Sequence, residues 1–457
     1  MALIPLRRAI LVSPHFPPSN LAGVQRARLM ARELRDFGWE PVVIAVDARH
    51  YEEANDKTSL ALLPEGLRVE RVGALPARLC RPLGFGDIAL RGQWALRRRV
   101  AEIVRGEPVD LIFGTVLPGY TSLVGARAKR RFGLPFVLDY QDPWVSDWGA
   151  RQPRFSKAGL SHWLATKLEP GAVAAADALT AVSDRTLDTL RSRKLIRPGL
   201  PVETIPIGAE PEDHAVAARV GRSWIEGRAG RLLPAAREIA HHGAHGATRP
   251  TGTFHLAYLG TVIEGMIPTL RTLFGAVRAL LNANPEWQLR IHFIGTSAQP
   301  NGCDTLGLAE LAAECGVGGV FRLEPRRIGY LDALRTMQDA DALLLLGSQD
   351  PHYTASKIFP CWLSGKPVLG VFHSASTVNE LARELGGIGL VNYDTVTGAE
   401  SRVAETTRAL RQVVDRGTRA LPPRNEGAFG PYSTRGVARR FAELFDRITG
   451  NSLGHCN

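Results

Sequence analysis

Two short, wholly apolar runs, Ala342–Leu346 and Pro367–Val371, constrain most strongly what this chain can fold into. A strand with one wet face alternates apolar and polar residues. An unbroken apolar run set off by a glycine, here Gly347 or Gly365, suits a strand buried on both faces of a parallel sheet. Between the runs lie a polar loop, Gly347–Ser356, and an amphipathic segment, Lys357–Leu363. Strand, loop, helix and strand make one crossover unit, and ligands of such sheets gather beyond the carboxyl ends of the strands. Ser348 to Lys357 is therefore the first candidate site, with Asp350, Tyr353, Thr354, Ser356 and Lys357 as its polar side chains. Thr354 to Lys357 is expected to open the helix with free N–H groups, two hydroxyls and a fixed cation, which suits a diphosphate. An ordinary helix cap beside a solvated lysine fits the same residues.

The same alternation runs through the rest of the chain. Ala9–Ser13 is expected as a first buried strand, followed by a Pro- and Gly-rich loop to Gly23. A helix then places Val24, Leu29, Met30, Leu34 and Phe37 mostly on one face and ends at Gly38, before a second strand at Val42–Val46. This opening lacks GxGxxG, so a dinucleotide site is not supported. Gly23 at the helix start either lets a ligand approach the backbone or is a simple turn glycine. Residues 48–107 are less regular and carry no functional reading. Further strands are expected at Asp110–Gly114, Pro135–Asp139, Ala178–Val182 and Val202–Ile207. After the second of these comes Asp139-Tyr140-Gln141-Asp142-Pro143-Trp144. Carboxylates there can take hydroxyl protons and a ring can stack on the C–H face of a sugar; an Asx-turn before Pro143 fits equally.

A second series of strands follows at Phe254–Leu259, Leu289–Ile294, Gly319–Leu323, Ala342–Leu346, Pro367–Val371 and Gly389–Val391. A chain of 457 residues is too long for one core. The expectation is α/β architecture in two doubly wound domains, residues 1–208 and 253–430. Residues 209–252 link them, and a final helix within 431–457 packs back. His241, His242 and His245 lie in the linker without other ligands at fixed spacing and are read as solvated.

Composition excludes several classes. No apolar run approaches the roughly 20 residues of a membrane-spanning helix, and the N-terminus lacks signal-peptide order. The five cysteines are scattered without CxxC spacing, so neither a zinc site nor a disulfide framework is indicated. No metal and no cofactor is expected, and nucleic acid is not an expected partner. Almost all of the net charge of +11 comes from the first 200 residues. Arg97-Arg98-Arg99 and Arg127, Lys129, Arg130 and Arg131 suggest a face for anionic lipid; an Arg- and Ala-rich composition accounts for the same excess without a partner. The expected location is cytoplasmic, with contact at the inner face of the membrane.

Taken in order, the segments LVSPHFPPSNLAGVQRARLMARELRDFGWEPVVI, LPFVLDYQDPW, ADALTAVSD, AYLGTVIEGM and TASKIFPCWLSGKPVLG resemble a GT-B glycosyltransferase. More closely, the chain is similar to the large retaining family four, which uses nucleotide-sugar donors. The resemblance implies two Rossmann-like domains facing across a cleft, with the C-terminal helix crossing back. It also implies a UDP-, GDP- or dTDP-sugar on the C-terminal domain and a glycan, lipid-linked or small-molecule acceptor on the N-terminal one. Carried over, Gly23 matches the glycine loop near the donor phosphates, and Gly260 and Thr261 match the loop after the first strand of the second domain. Ser356 and Lys357 match the phosphate-contacting helix start, while Arg326 and Arg327 fall in the region flanking the base. Gln141 or Asp142 takes the place of a histidine usual in the family; Asp142 is the candidate for orienting or deprotonating the acceptor hydroxyl, beside Asp139 and Trp144. One departure stands out. Where many members carry two glutamates eight positions apart, this chain has His352 and Pro360, and a proline cannot hold ribose hydroxyls. Two alternatives therefore stand beside a transferase: a non-catalytic scaffold of polysaccharide assembly, and a nucleotide-sugar epimerase or hydrolase.

Overall fold

Period-two burial is clearest in the first strand, where Ala9 and Leu11 enter one hydrophobic cluster and Ile10 and Val12 the other. That strand is central to a seven-stranded parallel sheet in the computed structural model, which describes residues 6–82, 84–225, 252–299, 302–350, 353 and 355–450. The chain divides into two units, Met1–Gly208 with Pro431–Asn457, and Ala209–Gly430.

In the first unit the strands are β1 (Arg7–Val12), β2 (Trp39–Val46), β3 (Arg68–Val72), β4 (Leu111–Thr115), β5 (Phe136–Tyr140), β6 (Ala178–Ala181) and β7 (Val202–Thr204). Their order is β3-β2-β1-β4-β5-β6-β7, with Ile10 registered against Val42 on one side and Ile112 on the other. On one face helices Gln93–Gly106, Ser122–Phe132 and Lys157–Ala175 lie side by side. On the other, helix Val24–Glu33 packs with helix Thr434–Ile448. Phe441 meets Phe113, and Phe445 meets Trp39, edge to face; Asp446 accepts from Trp39 Nε1 at 3.0 Å and pairs with Arg7. The last helix therefore completes the first unit's core.

The second unit holds β8 (Phe254–Leu259), β9 (Leu289–Ile294), β10 (Phe321–Glu324), β11 (Ala342–Leu346), β12 (Val368–His373) and β13 (Ile388–Tyr393), in the order β10-β9-β8-β11-β12-β13. In its core Tyr258 stacks on Phe293, and Phe274 and Phe321 meet at an angle beside them. In each unit the chain reverses its direction of growth beside the first strand, between β1 and β4 and between β8 and β11. The loops leaving those strands border the crevice where α/β sheets receive ligands.

Some expectations shift. Residues 48–107 contain β3 and helix Gln93–Gly106. The strand was hidden because it lies at the sheet edge and carries charge, Arg68 and Glu70, with Glu70 bound by Arg68 and Arg99. The strand expected to reach Ile207 stops at Thr204, and the helix expected from Thr354 begins at Ile358, with Lys357 at its N-cap. Thr354, His352 and the linker histidines His241, His242 and His245 lie outside the described residues.

Candidate functional site

The second unit brings Gly260 and Lys357, far apart in sequence, into contact. Gly260 leaves β8 with φ +132°, and an added Cβ there would lie 2.5 Å from Lys357 Nζ. Only a glycine lets the ammonium rest on the backbone in this way. Lys357 Nζ donates to Tyr258 Oη at 2.8 Å and lies 4.2 Å from the centroid of that ring. The phenol in turn donates to the Thr261 carbonyl at 2.8 Å. Arg327 reaches Thr261 Oγ1 at 3.4 Å.

The electrostatics follow from burial. Among the described residues Lys357 has no carboxylate partner, and its side chain is only partly accessible. Burial pushes its ammonium down to about 8, and the Arg327 charge adds to the shift. Burial pushes the Cys361 thiol up to about 12, so it stays protonated and supplies no counter-charge. Burial likewise holds the Tyr258 hydroxyl well above its ordinary value. The result is a protected cation with no anion beside it among the described residues.

The loops around it are tied together. Gln349 N donates to Gly265 O at 2.8 Å, and a Cβ on Gly265 would meet Ser348 Oγ at 2.4 Å. Ser348 Oγ accepts from Asp350 N at 3.2 Å, and Asp350 O accepts from Tyr353 N at 3.1 Å. Ser356 is exposed one residue before the lysine. The two neighbouring arginines diverge: Arg327 turns to Thr261, whereas Arg326 is forked onto Glu324 at 3.0 and 3.1 Å. Pro360 sits inside helix Ile358–Leu363.

In the first unit, Gln141 Nε2 donates to Gly23 O at 3.2 Å, and the buried Gln141 Oε1 has no hydrogen-bond partner among the described residues. A Cβ on Gly23 would lie 2.8 Å from Leu117 Cδ2. Gly23, Gln141 and the loop after β4 are thus gathered at this sheet's crevice. Asp142 is open to water but crowded by protein, and this crowding pushes its carboxyl up to about 6. Trp144 lies against Gly119 and meets Tyr120 edge to face at 5.2 Å.

Asp139 is placed differently from the expectation of an acceptor contact. It is fully buried, with Oδ2 accepting from Arg26 Nε at 3.1 Å and Oδ1 from Thr180 Oγ1 at 2.7 Å. Arg26 also donates to the carbonyls of Ile205 and Pro206. The pair braces the helix behind Gly23 against β5 and the end of β7 and leaves neither oxygen for a ligand. Tyr258 and Cys361 were missed by sequence reasoning. Tyr258 did carry a signal, because a hydroxyl inside a buried strand needs a partner.

A family model described as a Glycosyl transferase 4-like domain matches residues 22–208. The chain has a GT-B fold, and its residues 22–208 are similar to that glycosyltransferase domain. No curated relative matches it in sequence. Among solved structures it is similar to sucrose-phosphate synthase from Thermosynechococcus elongatus, at 13% identity and TM-score 0.59, covering 97% of this chain and 99% of the other. It is also similar to a UDP-forming trehalose-phosphate synthase from Burkholderia vietnamiensis, at 14% identity and TM-score 0.58, covering 97% and 98%. A third, from Burkholderia xenovorans, has 13% identity and TM-score 0.56, covering 98% and 99%. At such identities the likeness is one of fold.

Proposed function

We propose that this glycosyltransferase moves a sugar from a nucleotide-sugar donor, held by the second unit, to an acceptor hydroxyl bound by the first, with retention. The observation that carries the reading is the Lys357 ammonium, seated on Gly260 and without a carboxylate partner among the described residues. A departing nucleoside diphosphate supplies the missing charge. Lys357 and Arg327 then stabilise the negative charge that grows on its oxygens, and they need little reorganisation to do so. In a single displacement with retention the acceptor attacks from the leaving-group side, and the departing phosphate oxygen is then itself a base for the acceptor proton. Asp142, ionised above about pH 6, accepts a hydrogen bond from the acceptor hydroxyl and orients it. The acceptor-side contacts are Gln141, Asp142 and Trp144.

Two of the similar proteins are UDP-forming synthases, which makes UDP the first nucleotide to try. The test is a thermal-shift series with UDP, GDP, ADP and dTDP. One diphosphate should stabilise the wild type, and Gly260→Ala should abolish the shift, because its methyl would displace the ammonium. Stabilisation by none, or an unchanged shift in Gly260→Ala, refutes the donor site. Pro360 favours a second reading, a subunit that binds nucleotide without transfer. Tight binding with no sugar transferred to any acceptor would decide for it.

A further inference from the structure

The outer surface of the first unit carries large apolar side chains that its core does not use. Trp94 is 72% exposed, Trp163 55% and Leu160 52%, and Phe155, Phe85 and Leu79 are exposed as well. Leu79, Phe85, Trp94 and the turn from Leu160 to Trp163 come from separate segments whose neighbouring residues are tied together. Gln93, beside Trp94, donates to the Tyr120 carbonyl at 2.7 Å, and the Tyr120 hydroxyl bonds Ser161, beside Leu160. A Cβ on Gly84, beside Phe85, would lie 4.0 Å from Leu160 Cδ2. Phe85 N donates to Cys80 O, beside Leu79. Scattered single hydrophobics are ordinary on a surface, but a patch assembled from several elements marks an interaction site.

Arg98 lies over the Trp94 ring and is paired with Glu102, and Arg81 is paired with Glu52; the other charges around this collar are cations. Arg97, Arg127 and Arg130 project from the adjoining helices Gln93–Gly106 and Ser122–Phe132, and none has a carboxylate partner among the described residues. Burial, with the charges of Arg127 and Arg130, lowers the Arg97 pKa, so these cations crowd one another. Arg154 and Lys157 flank Phe155 on its two sides and are exposed. Aromatic side chains amid unpaired cations match the interfacial layer of an anionic bilayer: rings enter the headgroup region while guanidinium groups meet phosphates. Neither signal alone holds a protein to a membrane firmly; two together do.

We propose that this collar seats the first unit on an anionic lipid bilayer and that the acceptor is lipid-borne. The second half rests on the function proposed above. Trp144, an acceptor contact in that reading, touches Tyr120, which bonds Ser161 inside the collar. The acceptor residues therefore lie beside the surface that meets the headgroups.

The test is co-sedimentation of the full chain with vesicles of phosphatidylcholine alone or with about one third phosphatidylglycerol. Wild type should partition onto the anionic vesicles and lose binding in high salt. The combined variant Trp94→Ser/Phe155→Ser/Leu160→Ser/Trp163→Ser, and separately Arg127→Glu/Arg130→Glu, should each bind at least about tenfold more weakly. Brominated lipid should quench tryptophan fluorescence in the wild type and much less in the first variant. Absence of binding to anionic vesicles, or equal binding by both variants, overturns the proposal. So does a wild-type dimer that the first variant dissociates while lipid binding is absent. Both variants should keep the nucleotide-induced thermal shift of the second unit, which controls for folding. If vesicles bind but no nucleotide stabilises the wild type, the transferase reading fails and docking stands. If nucleotide stabilises the wild type but vesicles do not bind, docking fails and the transferase reading stands.

Discussion

The Lys357 ammonium should make nucleotide affinity fall as pH rises through the range where most diphosphate sites are indifferent. In the free protein burial holds its pKa near 8. A bound diphosphate favours the charged form and raises that pKa, so binding takes up a proton. Around pH 7 the lysine is charged in both states and affinity is at its plateau. One unit above a free-state pKa of about 8, only about a tenth of the free protein is still charged, so affinity drops roughly tenfold, or about 1.4 kcal/mol. Above about pH 8 the phosphate groups of a nucleoside diphosphate are almost fully ionised and add no slope. Calorimetric titration from about pH 7 to about pH 9.5, in two buffers of different ionisation enthalpy, reads both the slope and the proton uptake. Lys357→Met should bind weakly at every pH and show no slope. A flat wild-type profile, or an equal slope in Lys357→Met, refutes the assignment of the phosphate site to this lysine.

Three further outcomes are expected. Asp142→Asn should remove the acid limb of the transfer rate near pH 6 and lower turnover, while leaving nucleotide binding unchanged; an acid limb that persists assigns it to another group. Asp139→Ala should cost about 3–5 kcal/mol of stability in denaturant unfolding, because it strands a buried guanidinium; a loss of transfer without a loss of stability would return Asp139 to the acceptor. Burial depresses the His214 pKa to about 4, so its neutral form suits the fold and the unfolded chain takes the proton first. Stability should therefore hold above about pH 6.5 and fall by up to about 3 kcal/mol on acidification to about pH 4. His214→Gln should flatten that part of the stability curve; if the acid loss persists unchanged, His214 is not its source.

The two-sheet plan was legible because its central strands are buried on both faces and so are continuously apolar. Ala342–Leu346 could be read almost to the residue. The edge strand Arg68–Val72 could not, because an edge is half-wet and its Arg and Glu serve ion pairs instead of the core. At the site, Gly260 and Lys357 were each visible as residue types in the right loops, but their contact depends on the path of β8 relative to β11. Tyr258, which holds the ammonium, lies within a strand and looked like one more core aromatic. Asp139 and Asp142 looked alike in sequence. Strand register separates them: the first points inward to Arg26 and the second leaves the strand for solvent.

Helix Thr434–Ile448 lies beyond the second unit in the chain yet plugs the hydrophobic wall of the first. A nascent chain that has emerged only as far as residue 208 holds Trp39, Phe113 and Val437's future neighbours without their cover. The first sheet must therefore wait, its aromatic face open, while the whole second unit is translated. A fragment cut after Gly208 should need a chaperone or aggregate, and supplying residues 431–450 as a separate peptide should rescue it.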